Sequence, residues 1–203
     1  MTRSLTSMTA AVVLVVSAGC STGTNYDITA PGKLMQELIH QRIRQIPYQH
    51  KQELLHNMIW LSQAGEQAIS DLTEALSHEN AKVRSSAAWV FGRMGDKRTI
   101  PALQKHANDT NPIVALEVSR ALLLLGDYSM VTQLIGGLDS ELQHVRYLCY
   151  EALRSVTGKS FDYDHRAADA GDRKKSVQEW QQWWEAQRND PMFRTGQPAS
   201  VSR

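Results

Sequence analysis

From Lys33 onward, apolar residues recur at spacings of three and four with polar residues between them, the pattern of helices that bury one stripe. Strand-like alternation and β-branched runs are scarce, so the chain predicts an all-α domain. The pattern also repeats. Residues 65–158 hold three tandem units of 31 residues or nearly so, with Val83, Val114 and Val145 at identical spacing and Phe91, Leu122 and Leu153 likewise.

Each unit predicts a helix pair. The first helices carry Ile69, Leu72 and Leu76, then Ile100, Leu103 and Ala107, then Val131, Leu134 and Leu138. The second helices carry Val83, Ala87, Val90, Phe91 and Met94, then Val114, Val118, Ala121, Leu122 and Leu125, then Val145, Cys149, Ala152, Leu153 and Val156. Glycines at 95, 126 and 158 suit helix ends, because glycine enters the left-handed conformation at low cost. A single pair leaves its apolar side in water, so the units must stack into an α-solenoid.

Helical patterning extends on both sides of the units. Residues 33–64 predict a degenerate N-terminal pair broken at Pro47, whose outer side carries Gln41, Arg42, Arg44 and Gln45 as a cap repeat requires. Residues 159–188 predict a loop and a last helix on which Trp180, Trp183 and Trp184 share one face. That face seals the last repeat; the alternative is an aromatic platform for glycan. Residues 189–203 lack apolar periodicity and predict a disordered tail.

Several residues of the units carry a family likeness. Val83-Arg84, Gly92, Met94-Gly95-Asp96, Ile100-Pro101-Ala102-Leu103 and Val145-Arg146 resemble the HEAT-like repeat of the phycobilisome-lyase type, except that Ala115 stands where that repeat commonly has Arg. The segment 156–164, followed by Trp180 and Trp183-Trp184, resembles the closing segment of many bacterial HEAT-repeat proteins. The resemblance implies stacked helical hairpins. It also implies a rival function, since this repeat type occurs in bilin lyases, which attach chromophores to cysteines.

Arg3 and the apolar run from Leu5 to Val16 read as a signal peptide, because the run falls short of the roughly 20 residues that span a bilayer. Ser17-Ala18-Gly19-Cys20 resembles the lipobox of bacterial lipoproteins, with Ser17 where Leu is usual. The resemblance implies a signal peptide at 1–19, a lipidated Cys20 and a flexible tether at 20–32; an ordinary secretory signal is the alternative. Ser21 stands where Asp, under the enterobacterial sorting rule, retains a lipoprotein at the inner membrane, which implies outer-membrane delivery facing the periplasm.

Composition narrows the partners. With 22 basic and 21 acidic residues dispersed along 203, there is no electropositive field to hold nucleic acid. The seven histidines form no HExxH and no metal-ligand spacing, and no phosphate loop or nucleophile elbow is present. No cofactor, catalytic residue or small-molecule substrate is expected. Cys149 aligns with Ala87 and Val118, so it reads as a small core residue.

A binding surface is the remaining expectation. Aligning the second helices places Trp89, Leu116, Arg120, Tyr147 and Glu151 on their exposed, concave side as a mixed patch for a protein or peptide. Alternatively, Trp89 packs on the first pair and Arg120 pairs with Glu151. The reading is a lipid-anchored scaffold or adaptor at the bacterial cell envelope. Its rivals are an enzyme subunit related to the bilin lyases and an envelope structural protein that binds peptidoglycan or another glycan.

Overall fold

The starts of the helices keep the period of the sequence. The computed structural model describes residues 31–193. Cys20, the signal segment 1–19 and tether residues 20–30 lie outside the described residues, as does 194–203; Pro31 and Gly32, expected in the tether, open the first helix.

Among the described residues there are nine α-helices and no strand. Helices α1 (Pro31–Gln45) and α2 (Lys51–Gln63) form the first pair. The three units follow as α3 (Ile69–Ala75) with α4 (Ala81–Met94), α5 (Ile100–Gln104) with α6 (Pro112–Leu124), and α7 (Val131–Gly137) with α8 (Gln143–Thr157). Their first helices start at residues 69, 100 and 131 and their second helices at 81, 112 and 143, a strict repeat of the sequence period. The last helix, α9, is Ala170–Gln187.

Capping chemistry sets these starts. Asn80 and Asn111 precede α4 and α6, and their side chains accept from the backbone N–H of Lys82 (2.9 Å) and Ile113 (3.0 Å). Leu142 offers no such oxygen ahead of α8. The turn before α8 is held instead through its carbonyls, with Arg146 donating to those of Ser140 (2.7 Å) and Glu141 (3.0 Å) and to that of His165 (3.0 Å). Gly95 and Gly158 close α4 and α8 at φ of 71° and 69°, where a side chain would be strained.

The second helices pack in a row, with α4 between α2 and α6 and α6 between α4 and α8, while α7 packs on α8 and α9. One core cluster joins Ile39, Leu61, Leu72, Phe91, Leu103 and Leu122; a second joins Leu116, Leu123, Leu134, Leu138, Leu153 and Trp180. Helix α6 feeds both, which makes it the hinge of the packing. Each fully buried large side chain contributes roughly 1.5–3 kcal/mol. These clusters are what the sequence period encodes: an all-α solenoid in which each unit packs on its neighbours.

The C-terminal end is sealed. Trp180 is fully buried with its ring edge-to-face on Phe161 at 4.8 Å, and Trp184 is buried with Nε1 donating to Thr132 Oγ1 at 3.0 Å. Tyr163 reaches from the preceding loop to the carbonyl of Leu138. Of the expected tail 189–203, only the first few residues are described. Residues 191–193 form a 3-10 turn, and Phe193 packs edge-on to Tyr128 at 4.9 Å, so one aromatic ring holds a stretch with no periodicity.

The first pair differs from expectation as well. Gln41, Arg44 and Gln45 are exposed, but Arg42 folds over the Trp60 ring at 4.7 Å, and Leu34, Leu38 and Leu55 also face solvent. Asp71 ties α1 to α3, accepting from Gln36 and lying 3.1 Å from His40 Nε2.

Candidate partner-binding groove

Helices α4 and α6 approach closely because Gly92 has no side chain: a Cβ there would stand 3.0 Å from the Cα of Ala121. Their exposed edges leave a groove of about 270 Å³ lined by Trp89, Gly92, Arg93, Glu117, Arg120, Ala121 and Leu124. Apolar walls come from the half-buried Trp89 ring and from Leu124, which is 47% exposed. Arg93 places its guanidinium 5.7 Å from the Trp89 ring centre.

An ion pair forms part of the lining. Arg120 Nη1 donates to both carboxylate oxygens of Glu117 at 2.8 Å. Burial pushes the Glu117 carboxyl above its ordinary pKa, and the attraction of Arg120 offsets this only in part. Arg120 Nε is buried with no acceptor. Charges held this rigidly, beside an aromatic and an aliphatic wall, suit recognition of a side chain or backbone segment inserted between the helices.

The structure brings together Trp89 and Arg120 of the sequence-derived patch and separates the rest. Leu116 is buried, 7% exposed, in the second core cluster, because α6 is enclosed on both sides by α4 and α8. Tyr147 is exposed on α8 and tilts against His165 with ring centres 5.0 Å apart, beside a separate cavity of about 490 Å³ with Gln143 and His144. Glu151 pairs with Arg154 at 3.5 Å, and Arg120 with Glu117, so the Arg120–Glu151 contact is absent. Trp89 also packs against the first core cluster, so it serves core and groove alike. Cys20 lies outside the described residues.

Sequence reasoning missed Arg93, Glu117 and Leu124. Glu117 stands three residues before Arg120, the spacing of a helical ion pair, and that signal was available. Leu124 is the one exposed member of the run Leu122–Leu125, which no pattern of equivalent positions singles out.

Elsewhere the chemistry is quiet. Cys149 is buried and its thiol is pushed up to about 12 by burial, which keeps it unreactive. Among the described residues, no group of three or more His, Cys, Asp and Glu side chains is placed to hold a metal, and no helix is long and apolar enough to cross a membrane. Trp180 and Trp184 are buried and Trp183 is half-buried, so the three rings do not form a shared glycan platform. A larger cavity, about 580 Å³, opens between α1 and α3 on the first-helix side.

Residues 69–154 match the family model of HEAT repeats. These units are HEAT-like repeats. No curated protein matches the chain. Among solved structures, human deoxyhypusine hydroxylase in complex with glycerol is similar at 23% identity and a TM-score of 0.42, covering 63% of this chain and 46% of that chain. The chain thus spans less than half the length of that protein. The groove lies between the second helices of two adjacent HEAT-like repeats.

Proposed function

We propose that this chain is a lipid-anchored HEAT-repeat scaffold that holds a protein partner at the bacterial cell envelope, in the groove between α4 and α6. The observation that carries the reading is the groove itself: Trp89 and Leu124 are accessible apolar walls around a fixed Glu117–Arg120 pair. Tryptophan and arginine are the residues in which interface energy concentrates. The Ala18-Gly19-Cys20 sequence supports an anchor at Cys20, through which the protein would face the periplasm from the outer membrane. A tethered scaffold acts by position, raising the effective concentration of partners on the same membrane.

The test combines variants with crosslinking in the intact envelope. Trp89→Ala with Leu124→Ala is expected to retain far-UV helicity and lose the crosslinked partner, and an unchanged crosslink profile would remove the groove from the account. Labelling with a fatty-acid analogue should mark the wild type and spare Cys20→Ala.

A further inference from the structure

The two ends of the stack are finished differently. Helix α9 closes one with Trp180 and Trp184 buried, whereas α1 and α2 leave Leu34, Leu38, Tyr48 and Leu55 exposed at 56%, 36%, 82% and 41%. A terminal repeat normally turns a polar face outward, because nothing stacks on it. Leu34 and Leu38 stand four residues apart and so share one strip of α1. Tyr48 and Leu55 lie at the α1–α2 turn and in the first turns of α2. Lys33 and Lys51 are exposed beside them.

We infer that the Leu34–Leu38 strip of α1 docks on the bilayer surface, with α1 lying along the headgroup region and the two leucines at the acyl boundary. Leu34 and Leu38, with the exposed Lys33 beside them, Glu37 neutralised by Arg44 at 3.1 Å and an exposed tyrosine in the next turn, match the chemistry of the membrane interface, where an amphipathic ring sits between apolar and wet layers. The inference rests on the anchor proposed at Cys20. Ten residues, 21–30, separate that cysteine from Pro31, a reach of at most roughly 35 Å when fully extended. An anchor at Cys20 therefore limits how far the start of α1 can lie from the membrane, and sets no such short limit for the far end of the stack. Docking there covers the unsealed end and leaves the α4–α6 groove free.

The full chain in its native membrane, or in vesicles containing phosphatidylethanolamine and phosphatidylglycerol, carries a fluorophore at Leu38→Cys or, as a control, at Gln178→Cys on α9. Lipids brominated near the headgroup should quench the Leu38 probe at least about twofold more than the control, since interfacial helices sit within several ångströms of that depth. Equal quenching at both positions overturns the inference. So does a blue-shifted Leu38 probe that brominated lipid does not quench, which assigns the face to a protein or a second copy. Fatty-acid labelling at Cys20 is read in parallel. Label without quenching defeats docking but keeps the anchor; lipid quenching in Cys20→Ala supports docking independently of the anchor.

Discussion

Arg84 and Asp109, in successive repeats, meet through two hydrogen bonds of 2.8 Å, and the same guanidinium holds the carbonyls of His78 and Glu79 at 2.9 and 3.0 Å. One side chain thereby closes the turn before its own helix and fixes the next repeat to it. Arg146 and Arg173 perform the first task in the same way, gripping carbonyls six and five residues upstream. Arg173 also reaches back to Asp139 at 3.1 Å. The series skips the middle repeat, where Ala115 replaces Arg and Asn111 caps α6.

Breaking this clamp should weaken the stack in a pH-dependent way. The Arg84 guanidinium holds the Asp109 carboxyl below its ordinary pKa. A depressed folded-state pKa stabilises above the unfolded value and is lost as pH falls through the folded value. Asp109→Asn should cost about 1.5–3 kcal/mol at neutral pH, the range for hydrogen bonds to charged groups. Urea unfolding should show the gap from wild type closing only below the ordinary carboxylate range.

The opposite sign is expected in the groove. Glu117 has its folded pKa raised by burial, so its contribution is greatest at low pH and is lost as pH rises through the folded value. Arg120→Ala strands that carboxylate and should destabilise by about 3–5 kcal/mol at neutral pH. Mild acid should ease the defect, and adding Glu117→Gln should recover much of it. Chemical denaturation of the two variants across this range checks both statements.

Gly137 and Cys149 share a space with no room to spare. A Cβ on Gly137 would stand 2.3 Å from Cys149 Sγ. Gly137→Ala should therefore cost about 1–3 kcal/mol through overpacking. Combined with Cys149→Ala, the cost should shrink, giving a coupling energy that a double-mutant cycle measures directly.

The C-terminal seal is predicted to be essential to the last repeat. Trp180→Ala empties a fully buried ring site and should cost about 3–5 kcal/mol. Limited proteolysis should then cut in the loop around Tyr163 and should leave that loop intact in the wild type, where Tyr163 is buried. Trp184→Phe keeps the ring packing and removes the Thr132 bond, so a smaller loss of about 1 kcal/mol is expected.

The repeat was legible in the chain because the apolar spacing recurs with one period and a glycine stop falls near the end of each unit, and the helix starts at residues 69, 100 and 131 follow it. The groove was half legible. Equivalent positions in successive repeats share a sequence register, yet Leu116 is buried and Tyr147 exposed, because α6 is enclosed by two neighbours and α8 by fewer. The alternative that paired Arg120 with Glu151 fails for a related reason: an i,i+3 contact with Glu117 needs no neighbouring repeat and wins over a reach to Glu151. Phe193 escaped notice because a single anchoring ring has no period.

A photoreactive amino acid placed at Leu124 tests the central claim most directly, with Thr73 on α3 as the control, since both side chains are exposed and lie on opposite helices of their repeats. Illumination in the intact envelope should give a discrete protein adduct from position 124 that is absent from position 73. Adducts of equal yield from both positions, or none from 124 while the protein remains folded, would contradict a partner held between α4 and α6.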